Sequence, residues 1–316
     1  MNQIETQTSL QDEAARAGWL YYVGGMTQDQ IATELGISRQ RAQRLVSRAM
    51  TEGLIHVRLE HKIGACLRLE ADLTRRFGLG HCRVAPSLGV GADPSRATAA
   101  AAAALLETFL ARAEPMIVAL GTGRALRAMV EELTSQDCAR HRVVSLVGNI
   151  APDGSASFFD VIMRIADKLS APHYPMPVPV FSETAQERAL FHALRPVQEV
   201  VRLAQNADVA FVGVGQMGDD APLLKDGFVT AAQLAEMQAL GAAGEIVGGV
   251  FDAEGRYIDT DVTQRLGGVR IEPGRAAPVI GVAAGAGKVK AIRAALTGRL
   301  INGLITDEST ATAILG

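Results

Sequence analysis

The strongest constraint on this chain is a pair of helix starts set close together in the stretch MTQDQIATELGISRQRAQRLVSRAMTEGLIHVRL, which begins at Met26. Thr27 with Gln30 three residues on is the arrangement in which a hydroxyl and an amide side chain satisfy two orphan backbone amides, so a helix is predicted to begin there. Ile31, Ala32 and Leu35 give that helix one apolar face, and Gly36 stops it. Ile37 then turns inward, and Ser38 caps a second helix whose buried stripe is Ala42, Leu45, Val46 and Ala49. Two short capped helices joined at a glycine make a helix-turn-helix. Gly53 and the alternation Leu54, Ile55, His56, Val57, Arg58, Leu59 predict a wing strand after it, with His56 and Arg58 on the outer side.

The second helix leaves Arg39, Gln40, Arg41, Gln43, Arg44 and Arg48 on its outer face. Arginine and glutamine can make paired hydrogen bonds to guanine and adenine edges, and arginine also neutralises phosphates, so this face suits a recognition helix in the major groove of double-stranded DNA. Thr27, Gln28 and Ser38, at the two helix starts, join these residues as expected DNA contacts. An arginine-rich face alone is more often simply solvated; the capped pair of helices with its glycine turn reverses that balance. From Ser38 to Arg58 there are five arginines and one acid, Glu52, in a chain whose net charge is -3, so positive charge is concentrated at the motif. A protein-binding module on the same fold would leave the outward arginines with little purpose.

The 316 residues, 48% hydrophobic and 21% charged, suit one large soluble domain plus a small one. No run of about eighteen apolar residues is present, and the opening MNQIETQTSLQDE is polar and acidic, unlike a secretory signal. A cytoplasmic protein without a membrane partner is expected. Cys66, Cys82 and Cys138 are too few and too scattered for a disulfide framework or a metal site, and the six histidines show no metal-binding spacing. No metal and no cofactor are expected.

The small domain is expected over residues 1–60 and a linking helix over 61–80, marked by Leu67, Leu69, Leu73 and Phe77 and closed by Gly78 and Gly80. From His81 to the end at 316, apolar runs alternate with helical segments, the pattern of a parallel sheet covered by helices, so the chain is of the α/β class. Expected strands are Cys82–Ala85, Met116–Leu120, Val143–Val147, Val209–Val214, Ile246–Phe251, Val279–Ala283 and Gly303–Thr306. Ala-rich Arg96–Ala113 is a packed helix, since Leu105, Leu106, Phe109 and Leu110 give it a buried side. Pro172, Pro175, Pro177 and Pro179 stiffen the run before Phe181 into a fixed wall or an interface.

In open parallel sheets, ligands collect where strands end in loops that lead into helices. Gly121-Thr122-Gly123-Arg124 is such a loop, and Gly148-Asn149, Gly213-Val214-Gly215-Gln216, Asp252 and Gly285-Ala286-Gly287-Lys288 follow other expected strands. A single glycine loop is often only a tight turn, but five on one sheet edge describe a small-molecule pocket. The Gly285 loop is not a nucleotide-binding P-loop, because Val282 and Val289 stand where a glycine and a hydroxyl residue are required. Lys288 could meet an anionic ligand or pair with Asp307 or Glu308.

The order of these motifs resembles the SorC family of bacterial sugar-binding transcriptional regulators, within the DeoR-like group. The resemblance covers nearly the whole chain, through MTQDQIATELGISRQRAQRLV, LGTGRAL, VVSLVGNI, PHYPMPVPVF, ADVAFVGVG, GAAGEIVGGVFDAEG, VIGVAAGAGKVKAIRAAL and GLITDESTA. It implies a winged helix-turn-helix followed by an effector domain similar to ribose-5-phosphate isomerase and glucosamine-6-phosphate deaminase. The effector it implies is a sugar, polyol or sugar phosphate that controls DNA affinity, and the assembly it implies is a homotetramer. Carried onto this chain, it places effector contacts at Gly121, Thr122, Gly123, Arg124, Asn149, Asp160, Gln216, Asp252 and Lys288. Such regulators often have threonine where this chain has Ala125, which removes a hydroxyl for holding a phosphate. Asp160 and Asp252 also fit as a helix cap and a turn former. The enzymes that share the fold leave a second possibility, an isomerase or deaminase carrying a DNA-binding module; the loop Gly213–Asp220 offers Asp219 and Asp220 but no histidine.

Overall fold

The computed structural model describes residues 3–55, 63–89, 91–151, 153–156 and 161–316, with side chains from Leu10 onward. The chain divides into two compact units, Met1–His61 and Lys62–Gly316.

The first unit holds α1 (Gln3–Tyr22), α2 (Gln28–Glu34) and α3 (Arg39–Thr51). The capping signals act as expected: Gln30 N donates to Thr27 Oγ1 at 3.4 Å while Gln30 Oε1 accepts from Thr27 N at 2.8 Å, and Arg41 N donates to Ser38 Oγ at 3.3 Å. Gly36, at φ 65°, makes the turn between the helices. Ile31, Ala42, Leu45, Val46 and Ala49 form the core with Ala14 and Ala17 of α1. A Cβ on Gly18 would stand 2.9 Å from Ala49 Cβ, so α1 and α3 approach closely through small residues. Of the expected wing strand, Leu54–Leu59, only Leu54 and Ile55 are described, and they lie outside regular structure; His56–Leu59 fall outside the described residues.

The second unit begins with α4 (Gly64–Phe77), β1 (His81–Ala85), α5 (Pro94–Leu110), β2 (Ile117–Leu120), α6 (Arg124–Glu131), β3 (Arg142–Ile150) and α7 (Val161–Leu169). It continues through β4 (His173–Pro179), α8 (Ala185–Ala193), α9 (Arg195–Gln205), β5 (Val209–Gly213), β6 (Gly215–Gln216), α10 (Pro222–Lys225) and α11 (Ala231–Ala239). It closes with β7 (Gly244–Ile246), β8 (Gly249–Phe251), α12 (Asp261–Gln264), β9 (Val279–Val282), α13 (Val289–Thr297), β10 (Gly303–Asp307) and α14 (Glu308–Leu315). A 3₁₀ turn, Ala286–Lys288, precedes α13. Gly78, at φ 66°, ends α4, whose buried side is Cys66 and Leu73, while Leu67 is exposed.

Among the described residues, seven strands form one sheet in the order β1-β10-β9-β5-β2-β3-β4, with every described pairing parallel. Successive residues point to opposite faces. Val143, Val209 and Phe211 meet α5, α6 and α7 on one side, while Val144, Ala210 and Val212 meet α4, α9, α13 and α14 on the other. From β2 the chain winds outward through β3 to β4, and from β5 outward through β9 to β10. The order therefore reverses between β2 and β5, and a doubly wound sheet opens a crevice at such a point.

One expectation needs correction, and one gains a structural form. The proline run, expected as a fixed wall or an interface, is an edge strand, β4, and its alternation explains how. Val180 N donates to Ile150 O at 3.0 Å, so the amides turned towards β3 are those of residues with this parity. Pro175, Pro177 and Pro179 take the positions between, where a missing donor breaks no rung of the ladder. The run Ile246–Phe251 is not one strand of the parallel sheet. It turns at Val247 and Gly248, with φ 55° and 76°, into the antiparallel hairpin β7–β8, which with β6 makes a separate three-stranded sheet. Two successive residues with positive φ are the geometry of the tight hairpin turn, and the β-branched Val247 is strained in it.

Candidate functional site

A cavity of about 330 Å³ sits at the β2/β5 reversal. The loop after β2 supplies Gly121, Thr122, Gly123, Arg124 and Ala125, and the loop after β5 supplies Gly213 and Gly215. Gly121 N donates to Phe211 O at 2.9 Å, which ties the first loop to β5. Gly123 has φ 113°, a conformation that glycine adopts readily, and it starts α6 with no side-chain cap. The first turn of α6 is therefore a place where backbone amides favour an oxygen-rich or anionic group.

The loop after β9 brings Lys288 to the same cavity. Gly285 N donates to Thr310 Oγ1 of α14 at 2.8 Å, and Lys288 N donates to Gly285 O at 3.0 Å, so the loop is fastened from behind. The same cavity is lined by the carboxylates Asp93 before α5, Asp226 after α10 and Glu245 on β7. Glu245 Oε2 accepts from Gly248 N at 2.9 Å across the hairpin turn. Burial pushes the Glu245 carboxyl up, against the Gly248 amide and the Lys288 charge, which favour the ionised form. Burial lowers Lys288, whereas Glu245 supports its charge and Arg124 opposes it. Val147, Val180, Leu223 and Phe228 supply the apolar wall. Carboxylates and cations lining one cavity with an apolar wall can take paired hydrogen bonds from vicinal hydroxyls and also hold an oxygen-rich group.

The structure brings together Gly121, Thr122, Gly123, Arg124 and Lys288 of the expected effector residues. Asn149, Gln216 and Asp252 do not line this cavity. Asn149 ends β3 with its Oδ1 buried and without a hydrogen-bond partner. Gln216 turns into its own loop, donating to Asp220 Oδ1 at 2.8 Å and accepting from Gly218 N. Asp252 follows the hairpin rather than a strand of the main sheet. Its Oδ1 accepts from Glu254 N at 3.0 Å and Arg256 N at 2.9 Å, the work of a turn former. Asp160 lies outside the described residues. Glu245, Asp226 and Asp93 were not singled out by their sequence context.

On the first unit, Gln40, Gln43 and Arg44 are exposed on α3 together with Arg39 and Arg41. Arg41 Nη2 donates to Glu13 Oε2 of α1 at 2.8 Å, Arg39 lies 3.4 Å from Asp29, and Arg48 Nε donates to Glu52 at 2.6 Å. Arg44 makes no hydrogen bond or ion pair among the described residues. Thr27 and Ser38 stand at the starts of α2 and α3, and Gln28 is the first residue of α2.

A capped helix-turn-helix continued by a doubly wound domain with a ligand-sized cavity at its reversal point defines a ligand-binding DNA-binding protein. Comparison with known proteins gives the same class: a sugar-binding domain family matches residues 61–316, and a MarR-family model matches residues 17–61. The erythritol catabolism regulatory protein EryD of Brucella abortus (strain 2308) is 35% identical over 303 residues, covering 96% of both chains. The transcriptional regulator LsrR of Enterobacter sp. (strain 638) is 33% identical, covering 95% of this chain and 92% of its own. The crystal structure of the full-length sorbitol operon regulator SorC from Klebsiella pneumoniae, 27% identical, superposes with a TM-score of 0.72 and covers 100% of both chains. The chain belongs to the SorC family of transcriptional regulators, with a DNA-binding helix-turn-helix and a sugar-binding domain.

Proposed function

We propose that the protein controls a carbohydrate or polyol catabolic operon, and that a sugar, polyol or sugar phosphate bound in the second unit sets its affinity for operator DNA. One observation carries this: the β2/β5 cavity gathers Arg124, Lys288 and the uncapped start of α6 with the carboxylates Glu245, Asp226 and Asp93. A polyhydroxylated ligand answers that mixture, its hydroxyls on the carboxylates and its oxygen-rich or phosphorylated end on the cations. The relatives' names, erythritol catabolism regulatory protein and sorbitol operon regulator, support a polyol or sugar as the effector class.

The effector contacts of this proposal are Gly121, Thr122, Gly123, Arg124, Lys288 and Glu245. The DNA contacts are Thr27, Gln28, Ser38, Arg39, Gln40, Arg41, Gln43, Arg44 and Arg48, with Arg44 and the glutamines reading bases. The division 1–60, 61–80 and 81–316 assigns DNA binding, linkage and effector binding in that order. The protein works in the cytoplasm as a homo-oligomer, a tetramer, and by binding rather than turnover. Two-fold symmetric pairs of recognition helices call for a roughly palindromic operator. Among the described residues no helix is long and apolar enough to cross a membrane.

Fluorescence anisotropy on the DNA upstream of the protein's own gene tests this, at fixed salt, with a panel of pentitols, tetritols, hexitols, ketoses and their phosphates. A compound that shifts specific binding identifies the effector and the sign of regulation. Equal binding to operator and scrambled DNA with every compound would remove the proposal.

A further inference from the structure

A surface helix normally buries its apolar side and shows its polar side to water. α8 does the reverse. None of its residues is buried, and its outward stripe is Ala185, Gln186, Ala189, Leu190, Ala193 and, at the C-cap, Leu194. Leu190 is 71% exposed and Leu194 52%. The polar side chains face inward: Arg188 Nε donates to Leu266 O, and a ring nitrogen of His192 meets Gly267 O at 2.9 Å. The helix is thus held to the domain by its polar edge and the half-buried Phe191, with an alanine-leucine stripe left towards solvent. Nothing in the folding of this unit requires that orientation, and an apolar stripe rimmed by charge marks a surface that is covered by another molecule.

We infer that the outward face of α8 is the contact between two copies of this chain, packed antiparallel about a two-fold axis. Two observations select a second copy as the occupant. Ala185, Ala189 and Ala193 make one row of the stripe and Gln186, Leu190 and Leu194 the row beside it, so Leu190 and Leu194 of one helix can fill the spaces above the alanine row of an identical antiparallel helix. The exposed Glu183 lies before the start of α8 and the exposed Arg195 lies after its end, so antiparallel packing sets Arg195 of each copy against Glu183 of the other. A parallel arrangement would set like charges together. Antiparallel packing also opposes the two helix dipoles, and a surface complementary to itself in shape and charge is what an isologous contact needs.

The test uses the full chain. Sedimentation equilibrium at micromolar concentration should show the wild-type protein associated, and Leu190→Glu should weaken the α8 association step by at least about tenfold, as expected for an anchor residue at the centre of an interface. Circular dichroism and a melting curve should be unchanged, because Leu190 supports nothing inside its own unit. Leu190→Cys provides a second readout that does not depend on losing anything. The three native cysteines are all buried, so a disulfide formed on mild oxidation can only join residue 190 of two copies. Near-complete cross-linking at Leu190→Cys, against little at an exposed control such as Glu254→Cys, is the expected result. An unchanged mass distribution for Leu190→Glu, or cross-linking no better than the control, overturns the assignment. The inference rests on the proposed homo-oligomer. A monomeric wild-type protein would defeat both, whereas an oligomer indifferent to residue 190 would defeat this surface alone.

Discussion

Gly215 has no side chain because the carboxylate of Glu245 occupies the space where one would be. A Cβ built there would collide with Glu245 Oε1 and stand 2.8 Å from its Cδ and 2.9 Å from its Cγ. The two residues pair across the β6–β7 ladder, so the strand contact that builds the small sheet also positions an acid in the cavity. Gly215→Ala should push the carboxylate aside rather than unfold the chain, since the far end of a flexible side chain is what must move. Effector affinity, followed by titration of the thermal shift, should fall about tenfold or more, roughly 1.4 kcal/mol, with operator affinity in the absence of effector unchanged. Unaltered effector affinity would take Glu245 out of the site.

The buried Glu245 carboxyl also predicts a pH dependence. Its value lies above the ordinary 4.5, chiefly through burial, so the folded chain holds the proton more tightly than the unfolded one. The stability this contributes is complete below the ordinary value and is lost as pH rises through the raised one. Glu245→Gln keeps an acceptor for Gly248 N and carries no charge. Calorimetry without ligand should find it more stable than wild type at pH 8, by about 2–4 °C for each kcal/mol relieved. The difference should close on acidification. Effector response should be weaker in the same variant, the usual cost of removing a strained group from a binding site.

On α3, Arg44 makes no hydrogen bond or ion pair among the described residues, whereas Arg48 is engaged by Glu52 one turn along. Arg44→Ala should cost about 1–3 kcal/mol of operator binding and relax discrimination against single base changes. Arg48→Ala should weaken all DNA more evenly and lower the salt dependence. Both variants should bind effector normally. Anisotropy on operator and point-mutated operators separates the two patterns, and full discrimination by Arg44→Ala would exclude it as a base reader.

Asp252 holds the loop after β8 through two backbone amides and Arg256. Asp252→Ala should therefore lower stability by about 1–2 kcal/mol, in the manner of a lost cap, while effector affinity survives. Urea unfolding combined with a ligand titration decides; loss of affinity without loss of stability would return Asp252 to the ligand.

Much of this was legible in the sequence because the signals are local. Thr27 and Ser38 cap helices through bonds to residues three positions on, and the runs of β2, β3, β5, β9 and β10 are apolar because both faces of their sheet are covered. Three features were hidden. α1 makes its core contacts through Ala14, Ala17 and Gly18, which leave no strong apolar stripe to read. The hairpin at Val247 and Gly248 lies inside an unbroken apolar run, and the only local hint is the glycine pair Gly248-Gly249. Asp252 therefore follows the hairpin and not a strand of the main sheet. Glu245 looks like an isolated acid until β7 pairs with β6, thirty residues earlier in the chain, and such a long-range pairing has no local signature.

β4 has a consequence for how copies of this chain can meet. Pro175, Pro177 and Pro179 leave its outer margin with carbonyls but no amide protons at those positions. A stray extended segment that tries to zip onto this margin finds no donors in alternate registers, which is how natural sheets discourage runaway polymerisation. The proline-lined margin is a dead end for cross-β growth, so whatever concentration the protein reaches in a cell, this edge of its sheet is a poor template for fibrils.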